Sequence, residues 1–203
     1  MRLVDWCRIE NVADAVVGGF FVRQGGMALG EVWISGRKLP STPFDPPWDA
    51  RRACLQIDGG DLRIARRSDL GSVPNGDFLQ AGPMLLEDGR AVRGDGEGFS
   101  AGAAQFDSDI TRGRFPRAAL AVTGPRLLAV ACDGRSEWDA GLTLGELADV
   151  LRELGAHTAI NLDGGGSTTL VSGFALRNRP REEHGIALAG GRPIATALAF
   201  TGP

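Results

Sequence analysis

The stretch at residues 127–162, LLAVACDGRSEWDAGLTLGELADVLRELGAHTAINL, decides the fold. Its two ends, residues 127–132 and 158–162, are short apolar runs typical of buried strands. Between them, apolar residues recur at steps of three and four, which predicts a helix over residues 144–154. The segment therefore predicts a strand, a helix and a second strand in succession.

The predicted helix carries its own start and stop signals. Thr143 and Glu146 match the S/T-x-x-E capping box, in which each residue bonds the backbone of the other. Gly155 follows the last apolar position, where glycine commonly ends a helix. We therefore expect Glu146 to cap the helix rather than to take part in catalysis.

The order strand, helix, strand predicts a crossover whose two strands run parallel. Loops that leave the carboxyl ends of parallel strands lie at one edge of the sheet, where open sheets place their ligands. Asp133 follows the first strand and Asp163 the second. We therefore expect both carboxylates at this edge.

The rest of the chain indicates a sheet-rich molecule. Its 203 residues include 30 glycines and 11 prolines, which divide the sequence into short segments. We expect one domain over residues 1–203, of the α+β class, with a mixed β-sheet rich in short strands and few helices. Residues 94–113 predict a lid or a long connection. The other predicted strands cover residues 15–22, 30–34, 53–57, 62–65, 78–86, 118–122, 168–171 and 195–201.

Charge and composition exclude several classes of protein. The net charge of −3 is unlike that of a nucleic-acid binder, so we expect no nucleic-acid partner. No run of eighteen apolar residues is present, and the first ten residues do not resemble a secretory leader. We expect either a cytoplasmic chain or an exported protein that lacks its leader here. The three cysteines match neither a zinc site nor a disulfide framework, and we interpret them as small buried residues.

The segment NLDGGGSTT at residues 161–169 is the strongest local signal of function. Successive glycines allow a ligand to approach the main chain, and their amides, with hydroxyl groups beside them, can bind a phosphate. A P-loop is excluded because the segment has no lysine. Asn161 and Asp163 should point the same way because side chains alternate along a strand. The predicted binding residues here are Asn161, Gly164, Gly165, Gly166, Ser167 and Thr168.

Two arginines accompany this edge of the sheet. Arg117 begins a strand of the predicted hairpin at residues 115–135, and Arg135 follows Asp133 directly. A guanidinium group binds two phosphate oxygens at once, so both residues are candidates for a phosphate clamp.

The order of the motifs resembles the phosphodiester glycosidase family, which includes N-acetylglucosamine-1-phosphodiester alpha-N-acetylglucosaminidase and bacterial proteins related to exopolysaccharide and sporulation. The resemblance covers most of the chain. The matching segments are GGFF (18–21), QAGPMLLEDG (80–89), PRAALAV (116–122), DGR (133–135), GLTLGELADVLRELG (141–155) and NLDGGGSTTLV (161–171).

The resemblance implies hydrolysis of a sugar-1-phosphodiester to a free sugar and a phosphomonoester. A phosphate monoester is a good leaving group, so the site chiefly needs a phosphate clamp and a carboxylate near the anomeric carbon. We assign the clamp to Arg117, Arg135 and the glycine segment. Asp163 and Asp133 are the candidate catalytic carboxylates, one as base or nucleophile and one orienting. No cofactor is required by the sequence, and a divalent cation shared by the two aspartates stays open.

Two departures from the family pattern leave alternatives open. Val17 stands where many relatives carry asparagine, and Ala118 where they carry threonine, so two polar groups are lost. One alternative is a glycan- or phosphate-binding module that keeps the fold without turnover. A second is an actin-like phosphohydrolase, since the glycine segment resembles the phosphate hairpin of that class.

Overall fold

The structure is a computed structural model that describes residues 1–22, 25–92 and 113–202. Except for Gly113, the predicted lid or connection at residues 94–113 lies outside these residues. The helices of the described residues are α1 (Leu3–Ile9), α2 (Trp48–Arg51) and α3 (Leu144–Glu153). None of them is long and apolar enough to cross a membrane.

Short strands dominate the described part of the chain and form three sheets, with the orders β13-β12-β1-β14, β10-β9-β11-β7-β8 and β3-β2-β6-β4-β5. The expected α+β class, rich in short strands, is confirmed. The strands are β1 Asp14–Val17, β2 Val32–Ile34, β3 Arg37–Lys38, β4 Ala53–Asp58, β5 Asp61–Arg66, β6 Asp77–Gln80, β7 Met84–Glu87, β8 Arg90–Ala91, β9 Arg117–Thr123, β10 Arg126–Cys132, β11 Thr158–Asn161, β12 Leu170–Ser172, β13 Ala175–Leu176 and β14 Ala197–Phe200.

The predicted crossover is β10-α3-β11, and a third strand lies inside it. Strand β9 pairs antiparallel with β10 on one side and with β11 on the other, so β10 and β11 run in the same direction without pairing with each other. The strand ladders of the described residues are therefore antiparallel, and parallel pairing is limited to an isolated bridge between Leu29 and Thr42. Cys132 pairs with Arg117 and Asn161 with Ala119, so both carboxyl ends reach the edge where β9 begins.

Side chains on the two faces of this sheet enter two different cores. Leu120 and Ile160 join a central core that includes Leu55 and Leu79 of another sheet. Ala119, Ala121 and Ala159 face the opposite way and pack against Leu147 and Leu151 of α3. The capping box of α3 is confirmed, with Thr143 and Glu146 bonded reciprocally, and hydrogen bonding to Thr143 lowers the pKa of Glu146.

The predicted strand at residues 78–86 is divided into β6 and β7, which belong to different sheets. Gly82 has a φ of +80°, and a Cβ at this position would lie 2.8 Å from the Ala53 backbone nitrogen. Pro83 next to it offers no N–H to a ladder, so the chain leaves one sheet and enters the other here. The periodicity of the two halves gave no sign of this change of sheet.

The cysteines are free, in agreement with the expectation, but they differ in burial. Cys7 and Cys54 are fully buried, Cys7 in the contact of α1 with Ala15 and Val171. Cys132, at the end of β10, is only partly buried. The interpretation as buried residues therefore holds fully for two of the three.

Candidate active site

The carboxyl ends of β10 and β11 meet at Pro116, the residue before β9. The Gly165 N–H donates to the Pro116 carbonyl at 2.9 Å. From the other loop, Gly134 packs so closely that a Cβ there would lie 2.9 Å from the Pro116 nitrogen. The two loops predicted to share an edge therefore pack against the same residue.

The glycine bend, residues 163–169, begins with a buried carboxylate. Asp163 is 8% exposed, and its N–H donates to the Gly18 carbonyl at 2.9 Å. One of its side-chain oxygens accepts the Gly164 N–H at 2.9 Å. Gly18 itself lies so close to Thr196 that a Cβ would meet the hydroxyl oxygen at 2.6 Å. The GGFF motif near the amino terminus thus supports the strand end that holds Asp163.

Most backbone amides of the bend are used inside the protein rather than offered to a ligand. The Gly165 N–H donates to the Pro116 carbonyl, and the Gly164 N–H donates to the Asp163 side chain. The amides of Ser167 and Thr168 donate to carbonyls within the bend itself. Among the described residues the Gly166 N–H makes no such bond. Of the amides at the predicted binding residues 164–168, that of Gly166 is therefore the candidate for binding a ligand.

Two buried side chains of the predicted site keep a polar atom without a hydrogen-bond partner among the described residues. They are Asn161, through its side-chain oxygen, and Thr168, through its hydroxyl. The Asn161 amide nitrogen donates to the Leu162 carbonyl at 2.8 Å. Both residues are almost completely enclosed, at 1% and 0% exposure. Because a buried polar atom without a partner is costly, both are candidates for contact with a bound group.

Arg135 is seated against the bend. A Cβ at Gly165 would lie 3.3 Å from both terminal nitrogens of its guanidinium group, so any larger residue would push this group away by a few tenths of an ångström. The side chain is 9% exposed, and one terminal nitrogen lies 4.0 Å from a carboxylate oxygen of Glu182. The same nitrogen donates to the Arg181 carbonyl at 3.3 Å. The predicted arginine and the predicted glycine loop are therefore in contact.

Arg117 lies next to this arrangement and is held differently. It is 2% exposed and donates to the carbonyls of Leu142 at 3.0 Å and Gly113 at 3.1 Å. Its guanidinium carbon lies 5.5 Å from the centre of the Phe115 ring, and that of Arg135 lies 5.7 Å from the same ring. Arg117 and Arg135 therefore face the same aromatic ring beside the bend.

Asp133, the second predicted carboxylate, is partly exposed and accepts the Arg179 N–H at 2.6 Å. It lies beside Cys132, whose pKa is raised to about 11 by burial and by the charges of Asp139 and Asp133, with Arg117 acting in the opposite direction. The Cys132 thiol is therefore protonated at neutral pH. A nucleophilic role for this cysteine does not fit these surroundings.

A segment that sequence reasoning missed, residues 178–182, joins the two loops. Asn178 donates to the Thr168 carbonyl at 2.8 Å and accepts the Leu170 N–H at 2.9 Å. Arg179 bonds Asp133, as described above, and the Arg181 carbonyl and Glu182 carboxylate face Arg135. We call it the bridging segment. The density of polar residues in NRPRE was the only signal that could have found it.

Glu182 lies between the glycine bend and an open cavity, which it lines. It forms an ion pair with Arg192, and a Cβ at Gly166 would lie within 3.0 Å of both side chains. The cavity has a volume of about 490 Å³, and its lining includes neither Asp133 nor Asp163. The cavity is lined by Met1, Phe21, Gly26, Glu182, Arg192, Pro193, Ile194 and Ala195.

Among the described residues, no group of three or more histidine, cysteine or acidic side chains is arranged to hold a metal ion.

Comparison with known proteins identifies the family. The sequence model of the phosphodiester glycosidases matches residues 10–201. The chain belongs to the phosphodiester glycosidase family. Phosphodiester glycosidases are hydrolases, so the expected enzyme class is confirmed for the family to which this chain belongs.

Individual relatives agree with this assignment. The chain is 28% identical over 183 residues to mouse N-acetylglucosamine-1-phosphodiester alpha-N-acetylglucosaminidase, a match that covers 87% of this chain and 34% of the mouse protein. The chain thus spans about a third of the length of that relative.

Two solved structures share the fold. The zebrafish N-acetylglucosamine-1-phosphodiester alpha-N-acetylglucosaminidase catalytic domain, auto-inhibited by its pro-peptide, matches with a TM-score of 0.73 at 18% identity, over 100% of this chain and 67% of that one. A hypothetical protein from Synechocystis matches with a TM-score of 0.67 at 20% identity, over 88% of this chain and 51% of that one. The phosphodiester glycosidase fold is therefore present here.

Proposed function

We propose that this chain hydrolyses the glycosidic bond of a sugar-1-phosphodiester of the N-acetylglucosamine-1-phosphate type. Water is added at the anomeric carbon, the bond from that carbon to the phosphate oxygen breaks, and the phosphomonoester leaves with the electron pair. The products are the free sugar and the phosphomonoester. Family membership favours this reaction over the actin-like alternative.

The contact of Arg135 with Gly165 is the observation that carries the proposal. It sets a guanidinium group two residues from the buried carboxylate of Asp163, and charge-assisted hydrogen bonds from arginine suit phosphate oxygens. The leaving phosphate would bind Arg135, the Gly166 N–H and the Thr168 hydroxyl. Arg117, which faces the same Phe115 ring as Arg135, would complete the clamp.

The carboxylates take different roles in this proposal. Asp163 acts at the anomeric carbon, either as the base that removes a proton from water or as the nucleophile. Asp133 orients the bridging segment through Arg179. The sugar would occupy the cavity beside Gly166, where Glu182 and Arg192 can bond its hydroxyl and acetamido groups.

Hydrolysis of the methyl phosphodiester of N-acetylglucosamine-1-phosphate tests this function. We expect release of N-acetylglucosamine and methyl phosphate, and a fall in kcat of about 10²- to 10⁴-fold in Asp163→Asn, the range typical of positioned acid–base groups. Asp149→Asn, on the exposed side of α3, is the matched control and should keep full activity. Proton NMR of the first sugar released would show whether Asp163 acts as base or as nucleophile.

The binding-module alternative makes the opposite prediction for the same experiment. Val17 and Ala118, the two departures from the family pattern, are fully buried in the central core and offer only apolar surface there. If the folded wild-type chain binds the phosphodiester but neither it nor Asp163→Asn releases sugar, the module is the correct interpretation. Turnover by the wild-type chain that is lost in Asp163→Asn excludes it.

A further inference from the structure

Strand β10 has an open edge. It pairs with β9 on one side and is the outermost strand of its sheet, so no strand of the described residues lies on its other side. No turn or loop of the described residues makes a backbone hydrogen bond to this edge either. Within this part of the chain, every second residue of β10 therefore directs its N–H and C=O groups outward with no partner. Such an edge is a template on which another strand can pair.

The strand lacks the features with which proteins usually protect an open edge. Natural edge strands are short, carry charged residues or proline, or are twisted away by a bulge. Strand β10 has seven residues and is apolar after its first residue, Arg126. Its register with β9 is unbroken from end to end, so it contains no bulge. A long, regular and apolar edge is suited to pairing with another chain.

The side chains of β10 are also less covered than those of the next strand. Residues 118–121 of β9 are at most 1% exposed, whereas every residue of β10 is partly or fully exposed. Leu127 is 43% exposed. Leu128 and Val130 lie at the margin of the core that contains α3, and Ala129 lies at the margin of the central core. A further strand beside β10 would therefore cover apolar surface on both faces of the sheet.

The two ends of β10 carry opposite charges, which makes a second copy of the chain a fitting partner. Arg126 is exposed at the start of the strand, and Glu137 and Asp139 are exposed in the loop that follows its end. None of the three forms an ion pair within the described residues. In an antiparallel pair related by a two-fold axis, the start of each strand lies beside the end of the other. Arg126 of each copy would then face the acidic loop of the other.

The geometry of a strand also limits the register of such a pair. Antiparallel strands bond through residues that point towards each other, so the two-fold axis must lie level with a residue rather than between two. An axis level with Ala129 brings all seven residues of each copy into the ladder, with Arg126 opposite Cys132 of the second copy. Opposite residues lie on the same face, so both apolar faces of the sheet continue across the pair.

We propose that the chain forms a two-fold symmetric dimer in which β10 pairs antiparallel with β10 of a second copy, so that two five-stranded sheets become one continuous sheet. This inference goes beyond the proposed function and does not depend on it. The same pairing sets the turn between β9 and β10 of each copy beside the loop of the other copy that follows β10. That loop carries Arg135, so the interface would border both candidate active sites.

Sedimentation equilibrium of the wild-type chain and of charge variants tests the proposal. We expect the wild-type chain to be a dimer and Arg126→Glu to raise its dissociation constant by about tenfold or more, because like charges then face each other. Glu137→Arg should weaken the dimer in the same way, and combining the two substitutions should restore much of the affinity. Arg8→Glu makes the same change of charge on the exposed side of α1 and should leave the dissociation constant unchanged.

A second variant acts on the edge itself. Leu127→Lys places a charge on the strand while leaving both charged ends in place, and it should also separate the copies. Val73→Lys, at another exposed apolar residue, is its control and should leave the dimer intact. Far-UV circular dichroism shows which variants are folded, and only these enter the comparison.

Hydrogen exchange of the β10 amides, followed by NMR, shows whether this strand forms the interface. In the dimer each amide is bonded to β9 or to the second copy, so all should exchange slowly, whereas every second amide should exchange quickly in monomeric Arg126→Glu. A wild-type chain that stays monomeric at the highest soluble concentration would overturn the proposal. So would a wild-type dimer in which alternate β10 amides exchange quickly, or one that neither Arg126→Glu nor Leu127→Lys weakens.

Discussion

The glycine bend and the loop that follows β10 begin alike and end differently. We call this second loop, residues 133–141, the tryptophan loop because it carries Trp138. Each starts with Asp-Gly within two residues of the end of one of two strands that run in the same direction, and each packs on Pro116. Ser167, Thr168 and Thr169 of the bend are at most 2% exposed. The tryptophan loop exposes Glu137, Trp138 and Asp139 instead.

The difference arises from what covers each loop. The bridging segment lies over the bend, with Asn178 bonded to Thr168 and Glu182 beside Gly166. Within the described part of the chain, the hydrogen bonds at the tip of the tryptophan loop, residues 136–139, are internal to the loop. A covered loop holds groups in fixed positions, as bond cleavage requires, whereas an open loop can meet another molecule. This difference in cover is the reason why the proposed function has its bond cleavage at the bend.

The largest expected effect separates the two aspartates. Asp163→Asn should lower kcat by about 10²- to 10⁴-fold, because the carboxylate acts on reacting atoms. Asp133→Asn should cost about tenfold and mainly raise KM, since an asparagine oxygen can still accept the Arg179 N–H while the negative charge is lost. Steady-state kinetics on the methyl diester measures both. Equal losses in the two variants would contradict the division of labour between the loops.

A smaller effect is expected from a methyl group added inside the bend. Gly165 has a φ of +58°, and a Cβ there would lie 3.3 Å from the guanidinium nitrogens of Arg135. Gly165→Ala should therefore lose about 1–2 kcal/mol of stability from the left-handed backbone. It should also raise KM by about tenfold because Arg135 is displaced.

Gly124 provides the matched control for this variant. Its φ is +53°, and a Cβ at this position would meet nothing within 4 Å. Gly124→Ala should show a similar loss in urea unfolding without a change in KM. If both variants raise KM alike, the effect comes from general destabilisation, and the fit of Arg135 to the bend is not specific.

The sequence predicted the parts of this arrangement that depend on local periodicity. Patterns within short sequence segments predict the strands β10 and β11 and the capped helix α3. They also predict that Asp133 and Asp163 lie at one edge of the sheet. Strand β9 was also predicted, yet its place between β10 and β11 was not. Pairing partners are chosen by packing over long sequence distances, which a single sequence does not display.

The contacts of the candidate site were predicted less completely, because they too depend on residues far apart in the sequence. The amide cradle was inferred from the glycines alone, but Pro116 and the carbonyls of the bend accept most of those amides. Arg117, predicted to clamp the phosphate, donates to the carbonyls of Leu142 and Gly113, and its contact with phosphate stays a prediction. Asn178 and Glu182 have no periodic pattern, so their positions follow only from the folded chain.

Loss of the α3 cap should affect both loops equally and only through stability. The Thr143 hydroxyl accepts the Glu146 N–H at 3.1 Å, and a Glu146 carboxylate oxygen accepts the Thr143 N–H at 2.9 Å. Thr143→Ala should lower the free energy of unfolding by about 1 kcal/mol, whereas Thr143→Ser should retain it. Neither should change kcat at temperatures well below Tm. A fall in kcat without unfolding would mean that α3 positions one of the loops.

The smallest effect concerns the proton of Cys132, which reports on the charge of Asp133 at the base of the tryptophan loop. Burial first, and then Asp139 and Asp133, raise the pKa of this thiol from 9.0 to about 11. Between those two pH values the folded chain keeps a proton that the unfolded chain releases, so this contribution to stability is present below pH 9 and lost as pH rises towards 11.

Alkylation by iodoacetamide, followed by mass spectrometry of the Cys132 peptide, measures this proton directly. At pH 8 we expect far slower reaction in the native chain than in urea, because the thiolate is the reactive form. Asp133→Asn removes one of the negative charges and should speed alkylation at pH 9 to 10, whereas Asp163→Asn should leave it unchanged, since Asp163 is not among the charges that act on Cys132. Equal acceleration by both variants would mean that the two carboxylates share one electrostatic environment, and the contrast between the bend and the tryptophan loop would then be one of exposure alone.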